Sequence, residues 1–320
     1  MRIVLFQTPG SEPVPGFLVN GSLLDSRKVA SGCGFSIPGT VLEIIDLGEP
    51  YWDQLNMTLA GLGPATLEAC RVSSVFPPPP ATGIRILAPI PRPRKNIFGI
   101  GLNYTEHVAE SARSLDTSGE LPQQPVIFSK PPTAVTGPFD PVYHNLSITR
   151  QLDHEVELAV VIGKAGKNIS REEAMDHVFG YTVINDISAR DCRRAGQWIV
   201  SKGQDSFAPM GPVLLSREEI ADPHNLNLSL RLNGVEKQNS NTKFMLFRIP
   251  DLIADLSTVF TLEPGDIIAT GTPAGVGAGK NPPEWMWPGD VVEATVEGIG
   301  TLRNTILETV PAAPTTAGPV

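Results

Sequence analysis

Cysteine is scarce in this chain of 320 residues: there are three, Cys33, Cys70 and Cys192. They are odd in number and far apart, which excludes a disulfide framework and any cysteine-based zinc spacing. Blocks of basic residues are missing too; the densest is Arg92-Pro93-Arg94-Lys95. With a net charge of −9, no basic patch is left for a phosphate backbone, and nucleic acid is excluded as a partner. No apolar run approaches a membrane span, and the apolar part of residues 1–9 is too short for a secretory leader. These absences predict a cytoplasmic protein without membrane contact. Two nucleotide signatures also fail. Gly99 and Gly101 lack the third glycine of a dinucleotide fingerprint. Gly279-Lys280 has no glycine five positions before Gly279, and Asn281 replaces the Ser or Thr of a phosphate-binding loop. No internal repeat is evident.

Proline and glycine, in contrast, are abundant, at 31 and 30 residues. So many breakers predict few long helices, and the spaced β-branched runs predict a sheet-rich α+β fold. A hydrophobic content of 41% with 18% charged residues is enough to bury a substantial core. Residues 1–75 read as a small N-terminal domain. It has a first strand at 2–6, a hairpin turning at Asn20-Gly21, and a helix over 51–71 interrupted by Gly61, Gly63 and Pro64. It holds no catalytic cluster and reads as a structural cap. Residues 76–83, with four consecutive prolines, read as a stiff linker. A larger domain follows over 84–310, then a small-residue tail at 311–320 that reads as disordered. Within the larger domain, Ser170 and Glu173 form a capping-box signal for a short helix. Asn233-Gly234 marks a second hairpin, and 247–259 an amphipathic helix. Residues 111–124 are polar and patternless, as in a mobile loop or lid.

The stretch Asp153-His154-Glu155-Val156-Glu157 carries the first chemical signal. The apolar run after it, 158–162, reads as a buried strand, and alternation puts Glu155 and Glu157 on one face. Two carboxylates there repel, and burial without a partner is costly. A hard divalent cation would satisfy both; the bland alternative is a solvated edge strand. Asp186, at the end of the run 178–184, is well placed as a third carboxylate. His107 and Glu110 lie three apart and share a face if Thr105 opens a helical turn. A carboxylate beside an imidazole fixes its tautomer and raises its basicity, as in a general base. His154 points to the opposite face from Glu155 and reads as structural or supporting. His144, His177 and His224 carry no signal, Arg190 and Asp191 read as a structural ion pair, and Trp285 and Trp287 as loop packing.

Together these pieces resemble the fumarylacetoacetate hydrolase superfamily over about residues 95–307. The resemblance rests on five motifs in order: Gly-Leu-Asn-Tyr-x-x-His-x-x-Glu (101–110), Glu-x-Glu (155–157), Asn-Asp-Ile-Ser-Ala-Arg-Asp (185–191), Lys-Gly-x-Asp-x-Phe-Ala-Pro-Met-Gly-Pro (202–212) and Gly-Thr-Pro-Ala-Gly-Val-Gly (271–277). It implies a mixed β-sandwich roll, a homodimer, and a bound Mg²⁺, with Mn²⁺ or Ca²⁺ as substitutes. By position, it implies Glu155, Glu157 and Asp186 as metal ligands, His107 and Glu110 as base and orienter, Lys202 as the active-site lysine and Thr272 as a substrate contact. Many relatives have a glutamine seven residues beyond the aspartate ligand; here Arg193 stands there, which suits a more anionic or longer substrate. Asn103 replaces an aspartate that some relatives use. The implied reaction is hydrolytic cleavage of a C–C bond in a 1,3-dicarbonyl or 2,4-dioxo acid, of the acylpyruvate or fumarylacetoacetate kind. Two alternatives stay open. One is decarboxylation, hydration or tautomerisation of a 2-oxo acid such as oxaloacetate; the other is a non-catalytic metal- and ligand-binding relative.

Overall fold

The computed structural model describes residues 1–114, 120–194 and 196–309. The tail at 311–320 and part of the expected loop at 111–124 lie outside these; the helix Thr105–Ser114 covers the first residues of that loop. The sheet-rich α+β fold that the sequence predicts is the fold observed. A twelve-stranded sheet runs through Ser22–Asp25, Val14–Val19, Arg2–Gln7, Ala208–Ser216, Val178–Asn185, Val156–Ile162, Ile267–Ala269, Ile97–Gly101 and Val126–Lys130. A five-stranded sheet runs from Val235–Asn241 through Asn227–Leu232, Val291–Val296 and Gly300–Glu308 to Val142–His144. Most neighbours are antiparallel, but Ile267–Ala269 runs parallel to Ile97–Gly101.

The strand Val156–Ile162 is buried at every position, which explains why its sequence barely alternates. Val156, Leu158, Val160 and Ile162 point into a core shared with Leu228, Leu230 and Val292 of the smaller sheet. Ala159 and Val161 point into a second core with Ile3, Leu5, Trp52 and Phe179. The larger sheet is therefore covered by the smaller one on one face and largely by N-terminal elements on the other. Arg2–Gln7 pairs with Ala208–Ser216, so the segment expected as a separate unit up to residue 75 contributes strands to the same sheet.

Helices are short, as the glycine and proline content requires. The expected helix over 51–71 is two, Glu49–Ala60 and Pro64–Cys70, parted by Gly61–Gly63 and restarted with proline in its first turn. Both Asn-Gly turns have positive φ at both central residues, the hairpin geometry that matches sheet twist. At the Ser170 signal the Glu173 N–H donates to Ser170 Oγ at 3.2 Å and the Ser170 hydroxyl donates to Glu173 Oε2 at 3.1 Å. No α-helix follows, however; only a 3₁₀ turn at Ala174–His177 fits before the next strand begins at Val178.

Candidate active site

Two strand ends converge at the carboxylate cluster. Glu155 and Glu157 flank the start of Val156–Ile162, and Asp186 directly follows Val178–Asn185. The two strands pair antiparallel, with Val156 opposite Asn185, and the Asp186 N–H donates to the Glu155 carbonyl at 2.8 Å. Oxygen atoms of the three carboxylates lie within 4.8 Å of one another, and all three residues are buried.

Three cations back this cluster. Lys202 Nζ donates to Glu155 Oε2 at 2.7 Å and to Asp186 Oδ2 at 2.6 Å. Arg190 donates to Glu155 Oε1 at 2.6 Å and to Asp153 Oδ2 at 2.8 Å. Lys130, wholly buried, donates to Asp186 Oδ1 at 2.5 Å and to the Lys202 carbonyl. Burial alone would raise the Glu155 carboxyl, but Lys202 and Arg190 outweigh it and hold the group below the usual carboxylate range. Glu157 goes the other way. Burial, then repulsion from Asp186 and Glu155, pushes its carboxyl well up. Its oxygen accepts one backbone N–H, from Gly271 at 2.9 Å, and no cation pairs with it among the described residues. Four buried carboxylates, counting Asp153, thus face three cations.

These residues fit a hard divalent ion. Three convergent carboxylates are an all-oxygen donor set, and the Lys202 ammonium bridging two of them marks where positive charge is favoured. The carboxylate still lacking a cation is the third of the set. The Tyr104 hydroxyl is also buried without a partner among the described residues. Burial, then the charge of Glu157, raises its pKa.

His107 and Glu110 do share a helix face. The helix Thr105–Ser114 brings His107 Nδ1 to 3.3 Å from Glu110 Oε2, with Ser111 Oγ 3.4 Å from Nε2. The Gly275 N–H donates to both Glu110 oxygens at 3.1 Å. The Gly277 and Ala278 N–H groups donate to Asp153 at 2.7 and 3.0 Å. The loop after Ile267–Ala269 is therefore fastened to the dyad at Glu110, to Asp153, and through Gly271 to Glu157.

His107, Glu155, Arg190, Arg193, Lys202 and Thr272 line one narrow cleft. Lys202 lies in a one-turn helix, Ile199–Lys202, which turns its side chain inward. The Thr272 hydroxyl donates to the Val156 carbonyl at 2.9 Å and accepts from Gln238 Nε2 at 2.8 Å. Asn103 is a staple between loops: its side chain donates to the Thr270 and Phe247 carbonyls and accepts from the Phe247 N–H.

Four residues escaped sequence reasoning. Arg190 does not pair with Asp191, which accepts from Thr149 and the Arg150 N–H; it pairs with Asp153 and Glu155 instead. Gln238 comes from the smaller sheet, and its Oε1 accepts from the Val156 N–H at 3.1 Å. Asp153, read only as part of the acidic stretch, anchors the loop. Lys130 did leave a signal. It shares strand parity with buried Phe128, and a lysine on an inward face calls for a buried anion.

No helix among the described residues is long and apolar enough to cross a membrane. Residues 96–307 match the family model described as fumarylacetoacetate (FAA) hydrolase, C-terminal. Oxaloacetate tautomerase YisK of Bacillus subtilis (strain 168) is 48% identical over 224 residues, 70% of this chain and 73% of that protein. The mitochondrial oxaloacetate tautomerase fahd2 of Xenopus laevis is 44% identical over 312 residues, 96% of this chain and 90% of that one. The structure of a fumarylacetoacetate hydrolase from psychrophilic Exiguobacterium antarcticum aligns with a TM-score of 0.78 at 33% identity, covering 97% of this chain and 100% of that one. Maleylpyruvate hydrolase from Sphingobium sp. SYK-6, solved in complex with manganese(II) ion and pyruvate, aligns at 0.73 and 27% identity with the same coverage.

Proposed function

Since the chain belongs to the fumarylacetoacetate hydrolase family, we propose that it is a 2-oxo acid tautomerase, interconverting keto and enol forms of an oxaloacetate-like substrate. The observation that carries this reading is His107, paired with Glu110, lining the same cleft as Glu155 of the carboxylate cluster, in a chain whose relatives are named oxaloacetate tautomerases. That support shifts the preference from C–C hydrolysis to tautomerisation. Hydrolysis stays as the second reading, favoured by the shared fold of maleylpyruvate hydrolase.

Glu110 beside Nδ1 favours the tautomer with its proton there, leaving the Nε2 lone pair as the base. Nε2 takes a proton from the carbon next to the keto group, and the imidazolium returns one to the carbonyl oxygen. One C–H bond breaks and one O–H bond forms; neither water nor an oxidant is consumed. Arg190 and Lys202 line the cleft as cations, so negative charge developing on that oxygen meets a positive wall. Glu155, Glu157 and Asp186 would hold a divalent ion, Mg²⁺ or Mn²⁺, whose contribution when bound is Lewis-acid polarisation of the carbonyl.

The test follows the enol absorbance of oxaloacetate with purified protein and Mg²⁺, alongside release of CO₂ and cleavage of acylpyruvates. Accelerated keto–enol exchange without carbon loss is expected. Faster acylpyruvate cleavage than tautomerisation would move the assignment to the hydrolase.

A further inference from the structure

Every carboxylate oxygen of Glu155 and Asp186 carries a cation. Arg190 donates to Glu155 Oε1 and Lys130 to Asp186 Oδ1. Lys202 Nζ takes the other two, Glu155 Oε2 and Asp186 Oδ2, and so bridges the pair. Among the described residues it is the one cation that joins two members of the Glu155, Glu157 and Asp186 set.

The three cations are not held alike. Arg190 is also pinned by Asp153, outside that set. Lys130 is also pinned by the Ile187 and Lys202 carbonyls. The Lys202 ammonium has no such second anchor. Its other partner among the described residues is the Phe128 ring, whose centre lies 5.0 Å from Nζ, within cation–π reach. Lys202 lines the cleft and Lys130 does not, so only Lys202 has open space beside it.

Charge makes the same selection. Asp153, Glu155, Glu157 and Asp186 are all buried. A divalent ion together with Arg190 and Lys130 balances those carboxylates, and the Lys202 charge is then surplus. Two cations a few ångströms apart in a low-dielectric interior repel strongly. We propose that the Lys202 ammonium and the divalent ion are alternative occupants of Glu155 and Asp186. Entry of the ion releases the lysine from both carboxylates towards Phe128 and the cleft, where its charge is available to an anionic substrate. This rests on the metal reading of the cluster given above. It gives the ion a second task besides polarising a carbonyl, since loading the metal also frees the lysine.

Calorimetric titration of Mn²⁺ into wild type and Lys202→Met tests the competition. The variant should bind Mn²⁺ about tenfold tighter or more. A lysine that merely orients the ligands predicts the reverse, a loss of about 10- to 100-fold. If Lys202→Met does not fold, Lys202→Gln carries the titration. Removing any nearby positive charge also favours a cation, so a second arm uses the unaltered protein. Reductive methylation with formaldehyde and a borane reductant labels accessible amines, and peptide mass mapping reads Lys202 against the exposed Lys28. Mg²⁺ should raise Lys202 labelling several-fold. Labelling that stays level or falls while the ion is bound overturns the proposal, and so does Mn²⁺ binding no tighter in the folded variant. Neither result touches the metal reading. Wild type that binds no Mn²⁺, or binding that Glu157→Gln leaves intact, overturns that reading and the proposal with it.

Discussion

Lys130 carries its ammonium into the protein with none of its side chain exposed, against Asp186. Burial pushes that ammonium's pKa down despite the anion beside it. Replacing Lys130 with Met keeps the volume but leaves Asp186 buried with one cation fewer. Breaking such a pair costs about 3 kcal/mol. Urea denaturation should report a loss of that order for Lys130→Met, and a change within ordinary surface scatter would show that the pair contributes nothing. His107 differs from Lys130 in acting on the transition state and not on the fold. His107→Ala should lower tautomerisation about 10²- to 10⁴-fold with little change in melting temperature. Retained turnover would remove His107 from the mechanism.

At the scale of elements, the glycine loop and one helix end make separable predictions. A Cβ on Gly279 would fall 2.1 Å from the Glu110 carboxylate carbon, so Gly279→Ala must displace Glu110 from its hydrogen bonds with Gly275. We expect kcat to fall about tenfold or more while the fold persists, because the atom struck is a side-chain tip whose task is to orient His107. Unchanged kcat would detach the loop from the dyad. The helix Ile249–Val259 begins with its first N–H donating to His224 Nε2 at 3.2 Å. Burial, then the charge of Arg248, lowers the His224 pKa from its ordinary value near 6.5. A depressed pKa means the folded protein resists protonation. Its contribution to stability is full above that ordinary value and is lost as the pH falls from there through the folded value. Melting temperature should therefore drop more steeply below about pH 6.5 in wild type than in His224→Gln. Parallel pH profiles would refute the assignment.

The whole molecule is a sheet with two unlike coverings, and the cluster lies where two of its central strands end. An excess of buried negative charge opposes folding until a cation joins it. Mg²⁺ or Mn²⁺ should therefore raise thermal stability by mass action, by about 2.7 kcal/mol at a hundred times the dissociation constant. Glu157→Gln should abolish that increment. Removal of the ion by EDTA should lower both melting temperature and activity; if neither moves, the metal reading fails.

Local pattern alone determined a good deal. The unalternating run 158–162 showed a strand buried on both faces, Asn20-Gly21 and Asn233-Gly234 showed their turns, and three-residue spacing showed that His107 and Glu110 could meet on a helix. The spacing of Glu155 and Glu157 gave their shared face, because strand geometry repeats every two residues whatever surrounds it. Only the tertiary structure decided which cations enter. Lys130 stands 72 residues before Lys202, and the three cations reach one cluster from a strand, a 3₁₀ turn and a one-turn helix. Nor did sequence separation show that residues 1–75 share a sheet with the rest, since the pairing of Ile3 with Leu214 spans most of the chain. Charge compensation in a low-dielectric interior depends on distances of a few ångströms between residues remote in the chain, and no local periodicity encodes those.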